Sequence, residues 1–198
     1  GHRRACGAWG SREIGLSRRR PACAAGHPGR NAGVYHERDE MAREADSPLP
    51  DIVNEPMQIA LEEARAAAAR GEVPVGAVVV RDGIILSRAG NRTLADRDPT
   101  AHAEILAIRA ACAMLGSERL PGCDLYVTLE PCPMCAAAIS FARIRRLYFG
   151  AADLKGGAVE NGVRLYAQPS CHHRPDVYGG LSETVSAELL RDFFRDRR

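Results

Sequence analysis

Apolar positions follow two rhythms along this chain, and the switches between them divide it into elements. In EPMQIALEEARAAAARG the apolar set, which includes Met57, Leu61 and Ala64, keeps a helical period; Pro56 suits the first turn and Gly71 stops the helix. VGAVVV, Asp82-Gly83 and IILS then read as a β-hairpin, because Asp-Gly supplies the two positive-φ residues of a tight hairpin turn. A loop from Asn91 to Ala101 leads to a second helix, from about His102 to Leu115. LYVTLE reads as a buried strand, a third helix runs from about Cys132 to Ala142, and RLYFG is a fourth strand. After a long loop of Gly, Pro and His, ELLRDFFRDRR closes the chain as an amphipathic helix. The order α-β-β-α-β-α-β-α predicts an α/β fold, a three-layer α-β-α sandwich with a central mixed sheet.

Residues 1–50 break the pattern. They are rich in Gly, Arg, Ala and Pro, carry no apolar period, and are expected to be disordered, which sets the division at 1–50 and 51–198. A start at Met41, a targeting peptide and a basic arm for RNA are the other readings of this segment. Residues 1–36 hold seven arginines against Glu13, a net of +6, whereas 37–198 hold 20 basic and 24 acidic residues, a net of −4. A mildly acidic folded part excludes nucleic-acid binding by bulk charge, so any such contact needs a local patch. The longest apolar run is far short of a bilayer, and no membrane association is expected. Seven cysteines, an odd number, with no signal-type apolar stretch after the N-terminal arginines, point to a reducing compartment, the cytoplasm.

Two short motifs stand at two helix starts: His102-Ala103-Glu104 and Pro131-Cys132-Pro133-Met134-Cys135. Strand-to-helix connections bring helix N-termini to one edge of an open α/β sheet, where sites form. One imidazole and two thiolates suit Zn²⁺, and three protein ligands leave a fourth tetrahedral position open, the arrangement of a catalytic site. Cysteines at i and i+3 share a helix face, and the positive end of the helix dipole favours their thiolates. His102 and Glu104 are two apart, so on a regular helix they point to nearly opposite sides and can serve one site only off the helix end. Glu104 is then the candidate proton carrier, with His102, Cys132 and Cys135 the candidate ligands. A CxxC pair alone also reads as a redox pair or half of a structural zinc site, for which Cys123, Cys171, His172 or His173 would be the fourth ligand; Cys112 reads as core.

The two motifs in this order, 30 residues apart, resemble the zinc nucleobase deaminases, whose signature is H-x-E…P-C-x-x-C. GEVPVGAVVV, DPTAHAEI, LYVTLEPCPMC, AADLKGGA and the ending LLRDFFRDRR resemble the bacterial tRNA adenosine deaminases, which convert a wobble adenosine to inosine. That resemblance implies one zinc per subunit held by His102, Cys132 and Cys135, with Glu104 moving protons. It implies that Asn91 hydrogen-bonds the flipped base and that Asp153 meets the flanking nucleotides. Phe194, Arg195, Arg197 and Arg198 become the local RNA patch, and a tRNA anticodon stem-loop and a second copy of the chain become the partners. From the residues alone, Asn91 reads as a turn residue and the C-terminal arginines as a solvated helix end on the favourable dipole side. Ala137 stands where relatives more often carry glycine. Guanine deaminases share both motifs, which leaves two rivals: deamination of free guanine, cytosine or nucleosides, and a non-catalytic zinc-stabilised RNA-binding module.

Overall fold

A computed structural model of the protein describes residues 51–195 and Arg197, with side chains from Asn54 onward. The expected disorder of 1–50, and Arg198 of the RNA patch, lie outside the described residues. Helix α1 (Asp51–Ala69) is followed by strands β1 (Gly76–Arg81) and β2 (Ile84–Gly90). Helix α2 (Ala103–Leu115), strand β3 (Cys123–Leu129), helix α3 (Pro133–Phe141) and strand β4 (Arg146–Ala151) come next. A 3₁₀ turn (Leu165–Ala167), strand β5 (Asp176–Tyr178) and helix α4 (Glu183–Arg195) complete the chain.

The sheet order is β2-β1-β3-β4-β5. β1 pairs antiparallel with β2 and β3, and β3, β4 and β5 run parallel. Asp82 and Gly83 link β1 to β2 with φ of 52° and 78°, the left-handed pair that the Asp-Gly signal predicts. Alternate residues of each strand serve opposite layers. Val78, Val80 and Tyr126 pack with Met57 and Ala60 of α1 and with Leu181 ahead of α4, whereas Ala77, Val79, Leu125 and Val127 pack with Ala103, Ala107 and Ile139 of α2 and α3. The fold is therefore the expected three-layer sandwich around a mixed sheet.

Phe149 of β4 is 1% exposed and among the largest fully buried side chains. Truncating it to alanine is expected to cost about 3–5 kcal/mol, read as a lower urea midpoint at unchanged slope.

β5 was not legible as a strand, because a three-residue edge strand inside a Gly/Pro loop carries no period. Its Tyr178 extends a stack that runs across three strands, Tyr126 on Tyr148 at 4.5 Å and Tyr148 on Tyr178 at 4.8 Å between ring centroids. Strand direction decides where the helices begin. Since β1 alone runs against its neighbours, the C-terminal ends of β2, β3 and β4 share one edge, and the connections to α2 and α3 both leave from it.

Candidate metal and proton-transfer site

His102 and Cys132 are the residues that immediately precede α2 and α3, and both have extended backbones, with φ/ψ of −72°/150° and −69°/171°. Cys135 lies in the first turn of α3. The two cysteines thus converge differently from the expectation of a shared helix face: Cys132 reaches the site from the cap position, and only Cys135 reaches it from the helix. The same capping geometry frees His102 from the i, i+2 constraint, so it and Glu104 meet beyond the helix end. Pro133 begins α3, where a missing N–H costs nothing.

The ligand atoms of His102, Cys132 and Cys135 lie within 4.8 Å of one another. His102 Nδ1 is 3.8 Å from Cys132 Sγ and 3.5 Å from Cys135 Sγ. Zn–S of about 2.3 Å and Zn–N of about 2.0–2.1 Å at a tetrahedral angle put nitrogen and sulfur about 3.6 Å apart, so the donor set fits zinc in type and in spacing. Among the described residues no further His, Cys, Asp or Glu joins this group. The candidate fourth ligands are engaged elsewhere. Cys123 begins β3 at the far end of the strand and is part of the core. Cys171 Sγ donates to the His173 carbonyl at 3.1 Å, and His173 Nε2 lies 2.6 Å from the Ile144 carbonyl oxygen. His172 is exposed. Cys112 packs at the margin of the core, as its sequence context suggests.

The side chains of the cluster hold their protons jointly. Cys135 donates to Cys132, and with the help of His102 this holds the Cys132 thiol down at about 4, a thiolate at neutral pH. The same bond, together with burial, pushes the Cys135 thiol up. The hydrogen bond to Cys132 raises His102 against the opposing effect of its partial burial. Glu104 is 4% exposed, and its carboxyl lies within reach of the Cys135 sulfur. Burial pushes its carboxyl up from the ordinary range, which makes it able both to hold and to release a proton.

Asn91 is 6% exposed, and its Oδ1 accepts a hydrogen bond from the Ala103 N–H at 2.8 Å. It is more than a turn residue: it satisfies one of the open donors at the start of α2. Since a donor faces Oδ1, the NH₂ group of Asn91 is turned away from the helix backbone and is left to donate elsewhere. Asn91→Ala is expected to weaken α2 by about 1 kcal/mol and to raise KM for the substrate, checked by thermal melts beside steady-state kinetics.

Two buried carboxylates that the motifs did not single out hold the loops at this edge. Glu72 is 1% exposed and accepts hydrogen bonds from Thr93 Oγ1 and from the Leu94 and Ala95 N–H groups at 2.8–3.2 Å. Glu130 does the same for residues 153–161. For each, burial alone would raise the carboxyl, and the donors outweigh it and lower it. Asp153 spends its Oδ1 on the Lys155 and Gly156 N–H groups, so the structure presents it as a loop organiser. Tyr166, also unflagged by sequence, is buried and donates from its hydroxyl to the Ala136 carbonyl at 3.2 Å. A carboxylate in a run such as LYVTLE gives no sequence signal of its five donors, because those donors come from residues more than twenty positions away.

The C-terminal residues expected to form an RNA patch are partly engaged within the chain. Arg195 Nη1 is 2.9 Å from Asp192 Oδ1, and the Arg197 guanidinium stacks 3.6 Å above the Phe193 ring. Phe194 is 50% exposed and meets Phe193 edge-on. Arg197 also lies beside Gly71, and the neighbouring Arg70 donates to the Asn91 carbonyl at 3.5 Å. The end of α4 is therefore at the edge of the sheet that carries Asn91.

Residues 51–151 match the family described as the cytidine and deoxycytidylate deaminase zinc-binding region. A tRNA-specific adenosine deaminase of Agrobacterium fabrum is 68% identical over 142 residues, which cover 72% of this chain and 93% of that protein. A solved structure from work on A-to-I editing by tRNA:A34 deaminases at the wobble position superposes with a TM-score of 0.68 at 68% identity, covering 68% of this chain and 98% of that one. A guanine deaminase from Nitrosomonas europaea superposes with a TM-score of 0.61 at 26% identity, covering 74% of this chain and 93% of that one. The chain belongs to the tRNA-specific adenosine deaminase family, within the wider group of cytidine and deoxycytidylate deaminases that share its zinc-binding region.

Proposed function

We propose that the protein is a zinc-dependent hydrolase that converts adenosine to inosine at the wobble position of a tRNA anticodon. The observation that carries the zinc-hydrolase part of this reading is the three-donor cluster with the buried carboxyl of Glu104 beside it. His102, Cys132 and Cys135 hold the zinc, one per subunit. When bound, zinc supplies Lewis-acid chemistry that brings the pKa of a water to about 7. Glu104 would take a proton from the attacking water and deliver it to N1 of the adenine ring as the water oxygen adds at C6. The same carboxyl would then carry the remaining proton from the C6 hydroxyl to the amine, so that C6=O forms as the C–N bond breaks and adenosine and water become inosine and ammonia. The Asn91 NH₂ group holds the base in register. The target base has to leave its stack, and an anticodon loop makes this cheaper than a duplex does.

The RNA reading is supported over a free-base reading by the 68% identity to a tRNA-specific adenosine deaminase, against 26% to the guanine deaminase. It is also supported by the position of Phe194 and Arg197 at the edge that carries Asn91. Phe194 is the ring offered for base stacking, with Arg195 beside it and Arg197 over the neighbouring Phe193; Arg198 adds a further charge in sequence, and Asp153 and its loop face the flanking nucleotides. Phe194→Ala is expected to weaken stem-loop binding by about 1–3 kcal/mol, measured by fluorescence anisotropy. The deciding experiment offers the protein an anticodon stem-loop with wobble adenosine, and separately free guanine and cytosine. Inosine in the RNA supports the proposal, and xanthine or uracil from the free bases refutes it.

We also propose a homodimer. Phe141 is 77% exposed on α3, beside a cavity of about 310 Å³ that Ala137, Ser140, Arg143, Leu165 and Cys171 help to line. A two-fold interface puts the same patch of both copies together, so an exposed ring at the rim of a cavity offers each copy a ring for the other's cavity. Sedimentation should give twice the chain mass. Among the described residues no helix is long and apolar enough to cross a membrane; the cytoplasm is the compartment proposed, on the odd cysteine count and the lack of a signal-type stretch.

A further inference from the structure

Glu130 follows β3 directly and stands two residues before Cys132, with a side chain that is 2% exposed. Five donors converge on it. Oε1 accepts from the N–H groups of Val159, Glu160 and Asn161 at 3.1, 2.9 and 2.9 Å. Oε2 accepts from the Asp153 N–H at 3.0 Å and from Asn161 Nδ2 at 2.6 Å. Every one of these donors is a neutral amide, and all belong to the single loop that follows β4. The carboxylate thus acts as a post around which both ends of the loop close, with the negative charge held by oriented N–H dipoles.

The remaining bonds of the loop build outward from that post. Asp153 O accepts from the Gly157 N–H at 3.0 Å, and the Ala158 N–H donates to the Pro131 carbonyl at 2.9 Å, which ties the loop to the segment that carries Cys132. Gly157 packs so closely that a Cβ there would come to 2.5 Å from the Glu130 carboxyl carbon. At the tip of this fixed loop Leu154 is 81% exposed. Leu154 is thus held out on a loop pinned from inside by a buried anion, at the sheet edge that carries the metal site, the kind of rigid loop on which binding groups are pre-organised.

We propose that Glu130 is a positioning residue for the RNA substrate: it pre-forms the 153–161 wall that receives the nucleotides flanking the target base. It acts through Asp153 and Leu154 and touches neither metal nor the reacting base. The inference rests on the tRNA deaminase reading. Because its five bonds stay within one loop, losing them loosens that loop and leaves the helices and the ligand set in place.

Glu130→Gln tests this, since the amide keeps the shape but turns an NH₂ donor toward N–H donors. The expected result is a KM for the anticodon stem-loop about tenfold higher or more, with kcat changed by less than about threefold and zinc content unchanged. Hydrogen exchange should accelerate at Asp153 and 159–161 while α3 stays protected. An unchanged KM, a fall confined to kcat, or exchange that spreads through β3 and α3 with loss of zinc would overturn the proposal. Should that variant fail to fold, Asn161→Ala removes the 2.6 Å side-chain bond alone. It should raise KM in the same sense by a smaller factor, and an unchanged KM again overturns the idea. The wild-type assay separates the two readings: no inosine from the native protein sinks the activity itself, whereas inosine with an unchanged Glu130→Gln KM sinks this inference alone.

Discussion

Glu104→Gln is expected to bind a full complement of zinc, to melt at or slightly above the wild-type temperature, and to lose turnover by about 10²–10⁴-fold. Glu104 is almost wholly enclosed, and its carboxyl is raised because enclosure disfavours the charged form. Glutamine fills the same space without that desolvation penalty, so stability should not fall. The amide cannot accept a proton from water or return one to a ring nitrogen, so the chemical step should fail while substrate binding persists. The check is metal analysis, thermal melts and single-turnover kinetics on one preparation. Activity within about tenfold of wild type would assign proton transfer to another group.

Cys135→Ser is expected to abolish zinc binding at neutral pH and to lower activity about a thousandfold or more, since metal chemistry contributes several kcal/mol to such a reaction. Cys135 is fully buried and His102 Nδ1 sits 3.5 Å from its sulfur, so a serine oxygen is both a harder donor and too short to reach the same point. The core is built from side chains that do not ligate the ion: Phe149, Leu125 and Ile139 are buried in one apolar cluster. The variant should therefore remain folded and inactive. Stripping zinc from the wild type with a chelator should give the same state, reversibly.

The pH dependence of zinc uptake is set by the protons held on His102 and Cys135, whose raised values mean that both release a proton on ligation. A raised group stays protonated to higher pH, so protons compete with the metal above the ordinary histidine range as well as below it. Apparent zinc affinity should rise with pH through the neutral range.

The layers of the fold and the identity of the cluster were legible in the sequence because each has a local signal. Asp82-Gly83 names its turn, and Met57, Leu61 and Ala64 name a helix face. His102 and Cys132 were legible as ligands, but their cap positions were not, since one residue at a helix boundary decides between a shared helix face and convergence from two directions. Glu72 and Glu130 went unread for a different reason. A carboxylate that gathers backbone amides from a distant loop leaves no pattern in either segment. Asn91 shows the limit from the other side: as a turn residue it was ordinary, and only its bond to the Ala103 N–H reveals that it is buried against the start of α2. The C-terminal arginines were legible as charge, but not as groups held by Asp192 and the Phe193 ring.

The most direct test of the proposed reaction is a single-turnover assay of the zinc-loaded protein on an anticodon stem-loop with adenosine at the wobble position, with nucleoside analysis of the RNA. Inosine and ammonia should form in equal amounts, the inosine at the wobble position, with none from zinc-stripped protein or from Glu104→Gln. Intact adenosine in the presence of bound zinc, or equal inosine from the Glu104→Gln protein, would contradict that mechanism.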